Sequence, residues 1–263
     1  RVHCTRCGRP ICPDCMEPAP VGHHCPTCDA EGRRSIRRLR LGVRSGLSAA
    51  MVLLGINVAV FLVEVALGGA TDLGVLVRMG ALVPALIVEG EYWRLFASMF
   101  LHVGLLHLLF NSFGLYIFGN LIEGALGRVR FLAVYFLSGI TAGSASFAFG
   151  SPGRVAAGAS GAIFGLLGAW LAFNWRRRET GLAQANIQGA LVLVGLNLFL
   201  GFSVPGIDNI AHMGGLIAGA IAGLAAEGVG SRPLRIFSQI AGFAFLIGAA
   251  VSLVAWRVEA LGA

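Results

Sequence analysis

Seven apolar runs alternate along the chain with short polar breaks, most of which carry arginine. A bilayer's hydrocarbon core is about 30 Å thick, and a helix needs roughly 20 apolar residues to cross it. The pattern predicts transmembrane helices near residues 47–68, 95–123, 130–149, 159–175, 184–203, 209–227 and 237–256, the fourth and sixth being short. The expected fold class is an all-α polytopic membrane protein. The semi-apolar stretch from Gly69 to Arg94 is too broken to span, and its Pro84, Trp93 and Arg94 suit a segment lying in the membrane interface.

The polar breaks set an orientation. All 20 basic residues are arginines, and six of them fall between Arg33 and Arg44. With the N-terminus in the cytoplasm, 13 of the 20 fall in the basic linker and the inner connections, three more belong to the cysteine segment, and only Arg78, Arg94, Arg154 and Arg257 fall outside or at the outer boundary, as the positive-inside rule asks. The net charge of +7 is therefore a topology signal and does not point to nucleic acid. Composition agrees: 56% of residues are hydrophobic and 13% charged, with a mean hydropathy of +0.78. Arginine without lysine suggests a GC-rich bacterial genome, hence a bacterial plasma membrane. The first residue is arginine and no cleavable leader opens the chain, so upstream sequence is expected.

Six cysteines crowd the first 28 residues as three CxxC pairs, Cys4 and Cys7, Cys12 and Cys15, Cys25 and Cys28. Two-residue spacing lets both thiolates of a pair reach one tetrahedral Zn²⁺. A disulfide knot is the competing reading, disfavoured by the absence of a secretory signal and by the basic, cytoplasm-facing stretch that follows.

Glycines concentrate in the spans, where they let helix backbones approach closely. Gly215, Gly219 and Gly223 form a ridge on the sixth span; Gly161, Gly165 and Gly168 lie on one side of the fourth. At the mouth of the fourth span, VAAGASGAIF sets Ser160 between Gly158–Ala159 and Gly161, among free backbone N–H groups that would stabilise an oxyanion. By itself such a serine reads as a helix cap. His212, in NIAHMGGLIAG, shares the ridge face with Gly215 and Gly219, which brings an imidazole base toward Ser160.

The second span carries MFLHVGLLHLLFNSFG. His107 and Asn111 share a helical face and suit an oxyanion site; on one continuous helix His102 projects about 140° away from His107 and suits an interhelical hydrogen bond. A metal site from His102, His107 and His212 is disfavoured by that offset and by the lack of an HExxH string.

Together these strings resemble the rhomboid family of intramembrane proteases. The resemblance rests on Trp93–Arg94, on the HxxxxHxxxN of His102, His107 and Asn111, on Glu123 with Gly127, on the GASG of Ser160 and on the AHMGG of His212, and covers about residues 47–228. It implies a six-helix bundle, a Ser160–His212 dyad without an acidic third member, and an oxyanion site of His107, Asn111 and the Ser160 N–H. It further implies a cavity open to the outer face, an aromatic partner for His212 in Phe164, an interfacial loop motif in Trp93 and Arg94, and a structural role for Glu123 at the cytoplasmic end. The N-terminal segment resembles the B-box-like zinc modules of some bacterial rhomboids, which brace two ions with four ligand pairs. With three pairs here, the resemblance implies one complete site of Cys4, Cys7, Cys25 and Cys28 and a half-site of Cys12 and Cys15, with His3, His23 and His24 as substitute ligands.

The expected organisation is a cytoplasmic zinc module (1–30), a basic linker (31–46), a rhomboid core (47–228) and an additional transmembrane helix with the C-terminus (229–263). The expected activity is serine endopeptidase cleavage of transmembrane substrates near the outer face, with zinc structural and no cofactor for catalysis. The bilayer and transmembrane substrates are the expected partners, and the zinc module is a candidate site for a protein partner. The rivals are a non-catalytic client-binding adaptor, which would be expected to have lost Ser160 or His212, and a small transporter, which would show internal repeats.

Overall fold

The computed structural model describes residues 2–19, 21–35, 47–204 and 206–262. Most of the basic linker, residues 36–46, lies outside the described residues. The chain divides into two compact units, residues 1–45 and 46–263.

In the first unit two minimal hairpins precede a helix. β1 (Val2–His3) pairs antiparallel with β2 (Pro10–Ile11), β3 (Glu17–Pro18) pairs with β4 (His23–His24), and α1 runs over Pro26–Ser35. Its buried apolar cluster is Cys4, Ile11 and Cys28. A domain this small cannot be held by such a core and calls for a metal or another cross-link.

The second unit is helical throughout. α2 (Ala49–Ala66) starts at the Ser48 hydroxyl, which accepts the Met51 N–H at 3.1 Å. Two short helices follow, α3 (Leu73–Met79), capped by Asp72 and ended by left-handed Gly80, and α4 (Pro84–Val88). After α5 (Arg94–Ala97) and a 3₁₀ turn over Ser98–Phe100, the chain is extended at Leu101 and bends at residues 103–104 before α6 begins at Leu105. α6 (Leu105–Gly114) continues through a π-helical turn, Leu115–Gly119, into α7 (Asn120–Leu126). Then come α8 (Arg128–Phe149), α9 (Ser160–Trp175), α10 (Gly181–Ser203), α11 (Asn209–Glu227) and α12 (Arg232–Gly262).

Among the described residues, six helical stretches are long and apolar enough to cross a membrane, and α9, at 16 residues, is a shorter apolar helix. These correspond to the seven expected spans, with two differences. The second span starts at residue 105, not 95, because Gly104 takes a φ of +81° and breaks the helix while the residues on either side stay apolar. The last is 31 residues long and exceeds the expected 237–256 at both ends. The stretch from Gly69 to Arg94 is folded into α3 and α4, and Leu82 forms a two-way bridge with Ala156.

The centre of this unit is α9, which packs chiefly on α11 and α8. Glycines make this possible. A Cβ on Gly215 or Gly219 would collide with the carbonyl oxygens of Gly161 and Gly165, and one on Gly168 with that of Leu216. The two backbones are in direct contact, as van der Waals packing between small-residue faces allows where no hydrophobic force drives helices together.

Candidate active site

Ser160 is the first residue of α9, where backbone N–H groups lack intrahelical acceptors. The strand-like approach to it is pinned twice: Ala156 exchanges hydrogen bonds with Leu82, and the Gly158 N–H donates to the Ser98 carbonyl at 2.9 Å. Gly158, at φ +137°, lies flat on the neighbouring helix; a Cβ there would come within 2.7 Å of His107 Cε1 and 2.8 Å of its Nε2. Only glycine fits, and its absence of side chain lets His107 approach the serine turn.

His212 sits in the first turn of α11, buried, with its N–H donating to the Asp208 carbonyl at 3.0 Å. Its ring stacks on Phe164, centroids 4.1 Å apart and planes inclined by 6°. Phe164 lies one turn beyond Ser160 on α9, so the imidazole is held over the face from which Ser160 projects. The Gly161–Gly215 backbone contact brings the two helix starts together at the same level.

Behind Gly158, the Asn111 side-chain amide donates to the His107 carbonyl at 3.1 Å, and His107 Nδ1 accepts the Val103 N–H at 3.3 Å. A neutral ring accepting at Nδ1 keeps its proton on Nε2, the atom turned to Gly158. His107 and Asn111 thus stand beside the serine turn as donors. His102 departs from expectation. It lies within the helix break that precedes α6, so the 140° offset of a continuous helix does not apply, and its ring meets His107 edge-on at 5.4 Å. Its backbone and Nδ1 bond Glu64 Oε1 and the Phe100 carbonyl.

Trp93 is exposed, with the Arg94 guanidinium 4.8 Å over its ring. Arg94 is buried, pairs with Glu91 at 2.6 Å and donates to the Val77 and Ala81 carbonyls, so it ties α5 to the loop after α3. Glu123 is buried too; it accepts the Ala50 N–H at 3.1 Å and pairs with Arg128 at 3.4 Å, joining α7 to the start of α2.

Some polar residues of this region went unnoticed in the sequence. Ser146 donates to Asp208, which also pairs with Arg154 at 3.2 Å and caps α11 by accepting the Ala211 N–H. With Ser98, Gly139 and Ala142, Ser146 and Asp208 help line a cavity of about 40 Å³ beside Ser160. This clears the roughly 10–15 Å³ that one water requires. Acids within or beside apolar runs were the available signal.

In the N-terminal unit the sulfurs of Cys4, Cys7, Cys25 and Cys28 lie within 4.8 Å of one another. This grouping of first and third pairs can hold a metal ion. Burial raises the Cys4 thiol, but hydrogen bonds from the backbone of Cys25, Cys7 and Arg6 outweigh it and hold it down at about 6. Burial and the neighbouring sulfurs push Cys28 up to about 12. Cys12 and Cys15 place their sulfurs 2.7 Å apart, outside that cluster. Among the described residues, His3, His23 and His24 join no metal-binding group, nor do His102, His107 and His212.

Residues 89–227 match the Rhomboid domain family. The chain is 42% identical over 192 residues to Rhomboid protease GluP of Bacillus subtilis (strain 168), a match covering 72% of this chain and 37% of that protein. It is 41% identical over 150 residues to RHOMBOID-like protein 5 of Arabidopsis thaliana, covering 56% and 48% of the two chains. A third relative, RHOMBOID-like protein 6, mitochondrial, of the same plant is 38% identical over 146 residues, 54% of this chain and 46% of its own. The chain thus spans less than half the length of these relatives. The family match contains Ser160, His212, His107 and Asn111, and it runs through the apolar helices of an integral, multi-pass membrane protein. On these grounds the chain belongs to the rhomboid family.

Proposed function

We propose that this chain is an intramembrane serine endopeptidase of the rhomboid type, with Ser160 as nucleophile and His212 as base. The observation that carries the reading is the Phe164–His212 stack, which fixes the one imidazole of α11 over the first turn of the serine's own helix. A serine hydroxyl is a weak nucleophile until a base within reach takes its proton.

In this reading a transmembrane segment of a substrate unwinds near the outer leaflet and presents a carbonyl carbon to Ser160 Oγ. The Oγ–C bond forms as His212 accepts the hydroxyl proton, and the carbonyl becomes an oxyanion. His107 Nε2–H, the Asn111 amide and the Ser160 backbone N–H are the donors offered to it. The C–N bond then breaks, His212 returns its proton to the leaving amine, and an acyl group remains on Ser160. Water from the cavity beside Ser160 attacks that ester with His212 again as base, releasing the acid and restoring the serine. Gly158, Gly161 and Gly215 permit the close approaches, while His102, Trp93, Arg94 and Glu123 support the frame.

The N-terminus is assigned to the cytoplasm and the site to the extracytoplasmic side of a bacterial plasma membrane, on the arginine distribution. Four thiolates in two CxxC pairs suit Zn²⁺, which would be structural. The module 1–30 is the candidate contact for a protein partner, the linker 31–46 and core 47–228 follow, and 229–263 adds the last helix.

Ser160→Ala should abolish cleavage of a single-span reporter in liposomes and labelling by a fluorophosphonate probe, with expression retained. His212→Ala should abolish labelling as well. Undiminished cleavage by the Ser160 variant would sink the assignment; a folded wild-type chain that neither cleaves nor labels would favour the client-binding adaptor.

A further inference from the structure

The only acid inside α2 is Glu64, and it is completely buried. A carboxylate in a membrane-spanning helix is costly and persists where it has a task. Its Oε1 accepts the backbone N–H of His102 at 3.0 Å, across 38 residues of sequence. The next peptide N–H, that of Val103, is the one that His107 Nδ1 accepts. The peptide after it, Gly104 N–H, is shared between the Ala70 carbonyl at 3.1 Å, just beyond the end of α2, and the His102 carbonyl at 3.0 Å. Three successive N–H groups at the helix break therefore all find acceptors, the third of them shared between Ala70 and the local His102 carbonyl. Glu64 and Ala70 among these acceptors belong to α2 and its exit, and His107 is the oxyanion-side histidine.

This arrangement links Glu64 to the chemistry through one rigid peptide. Were the 102–104 segment to rotate, Val103 N–H would leave His107 Nδ1, and nothing would then favour the tautomer that keeps a proton on Nε2. A donor displaced by even about 1 Å costs up to ~100-fold in rate. We propose that Glu64 is a positioning residue for the oxyanion side of the site, holding the His102 peptide and, through Val103, the tautomer and aim of His107. This rests on the serine-protease reading above and deepens it.

The test is a double-mutant cycle on the purified full chain in liposomes, with single-span reporter kinetics and the rate of fluorophosphonate labelling as readouts. Glu64→Ala should lower kcat about 10- to 100-fold with KM little changed. Glu64→Gln, which keeps a carbonyl acceptor, should retain most of the activity. In a His107→Ala background, Glu64→Ala should cost less than about twofold more, because the residue acts through the imidazole already removed. A general structural role predicts the opposite, losses that multiply and no rescue by glutamine. Should Glu64→Ala fail to fold, Glu64→Asp withdraws the acceptor by one methylene and is read in the same cycle. Multiplicative losses, or a Glu64→Ala enzyme with wild-type kcat, overturn the proposal while Ser160-dependent cleavage stands. Absence of Ser160-dependent cleavage in the wild type overturns the underlying reading itself.

Discussion

Phe164 holds the His212 imidazole by its face, leaving the ring edge free to trade protons with Ser160. Aromatic stacking of this kind contributes about 0.5–1.5 kcal/mol. Phe164→Ala should therefore lower kcat by roughly 3- to 10-fold while KM for the reporter stays near its wild-type value, because the residue acts on the base. Phe164→Tyr, which keeps the ring face, should recover most of the loss. An equal fall in both variants would show that the phenyl group is merely filling space. Glu64 belongs to the same scale, and the two residues divide the labour: one orients the base, the other the oxyanion donor. Their legibility differs. Phe164 stands one turn from Ser160 in a recognisable string, whereas Glu64 acts across 38 residues through a backbone N–H, a relation that no local spacing announces.

Between elements, the decisive contact is the glycine seam of α9 and α11. Because a Cβ at Gly219 would collide with the Gly165 carbonyl, Gly219→Val must push the helices apart, and with them Ser160 and His212. Overpacking costs about 1–3 kcal/mol, so the variant should unfold several degrees lower in detergent and lose labelling of Ser160. Gly195→Ala on α10 is the matched control, since a Cβ there meets nothing within 4 Å. Removing a helical glycine's backbone freedom should leave stability unchanged or raise it by up to about 1 kcal/mol. Equal destabilisation by both would deny the seam its special role. The seam was readable in advance because glycines three and four residues apart must share a helix face. The break at residues 101–104 was not, since the apolar run from 95 to 123 continues through it and only the backbone of Gly104 marks the turn. With the break hidden, the helical offset between His102 and His107 describes a helix that has not yet begun at residue 102. The tie between Arg154, Asp208 and Ser146 was hidden for a related reason: it joins two connections whose juxtaposition depends on how α8, α9 and α11 pack.

At the scale of the whole chain, the cysteine cluster and Ser160 lie in separate compact units. Among its described residues the first unit has only Cys4, Ile11 and Cys28 as a buried apolar cluster, so metal binding and folding should be one event there. Treating the purified chain with a strong chelator should release at least one zinc per chain and open residues 1–30 to proteolysis, while fluorophosphonate labelling of Ser160 changes by less than about twofold. The pH dependence has a defined sign. Metal ligation needs thiolates, and Cys28, pushed up to about 12, yields its proton only in exchange for the ion. Affinity should therefore fall as pH is lowered, with steeper loss once pH drops through about 6 and Cys4 also takes up a proton. Zinc titrations from pH 8 to pH 5 would reveal the trend, and a flat profile would contradict ligation by these four sulfurs. Loss of Ser160 labelling on chelation would be the more consequential result. It would mean that the metal reaches the chemistry after all, and the division of work between a metal-stapled module and a metal-free dyad would have to be abandoned.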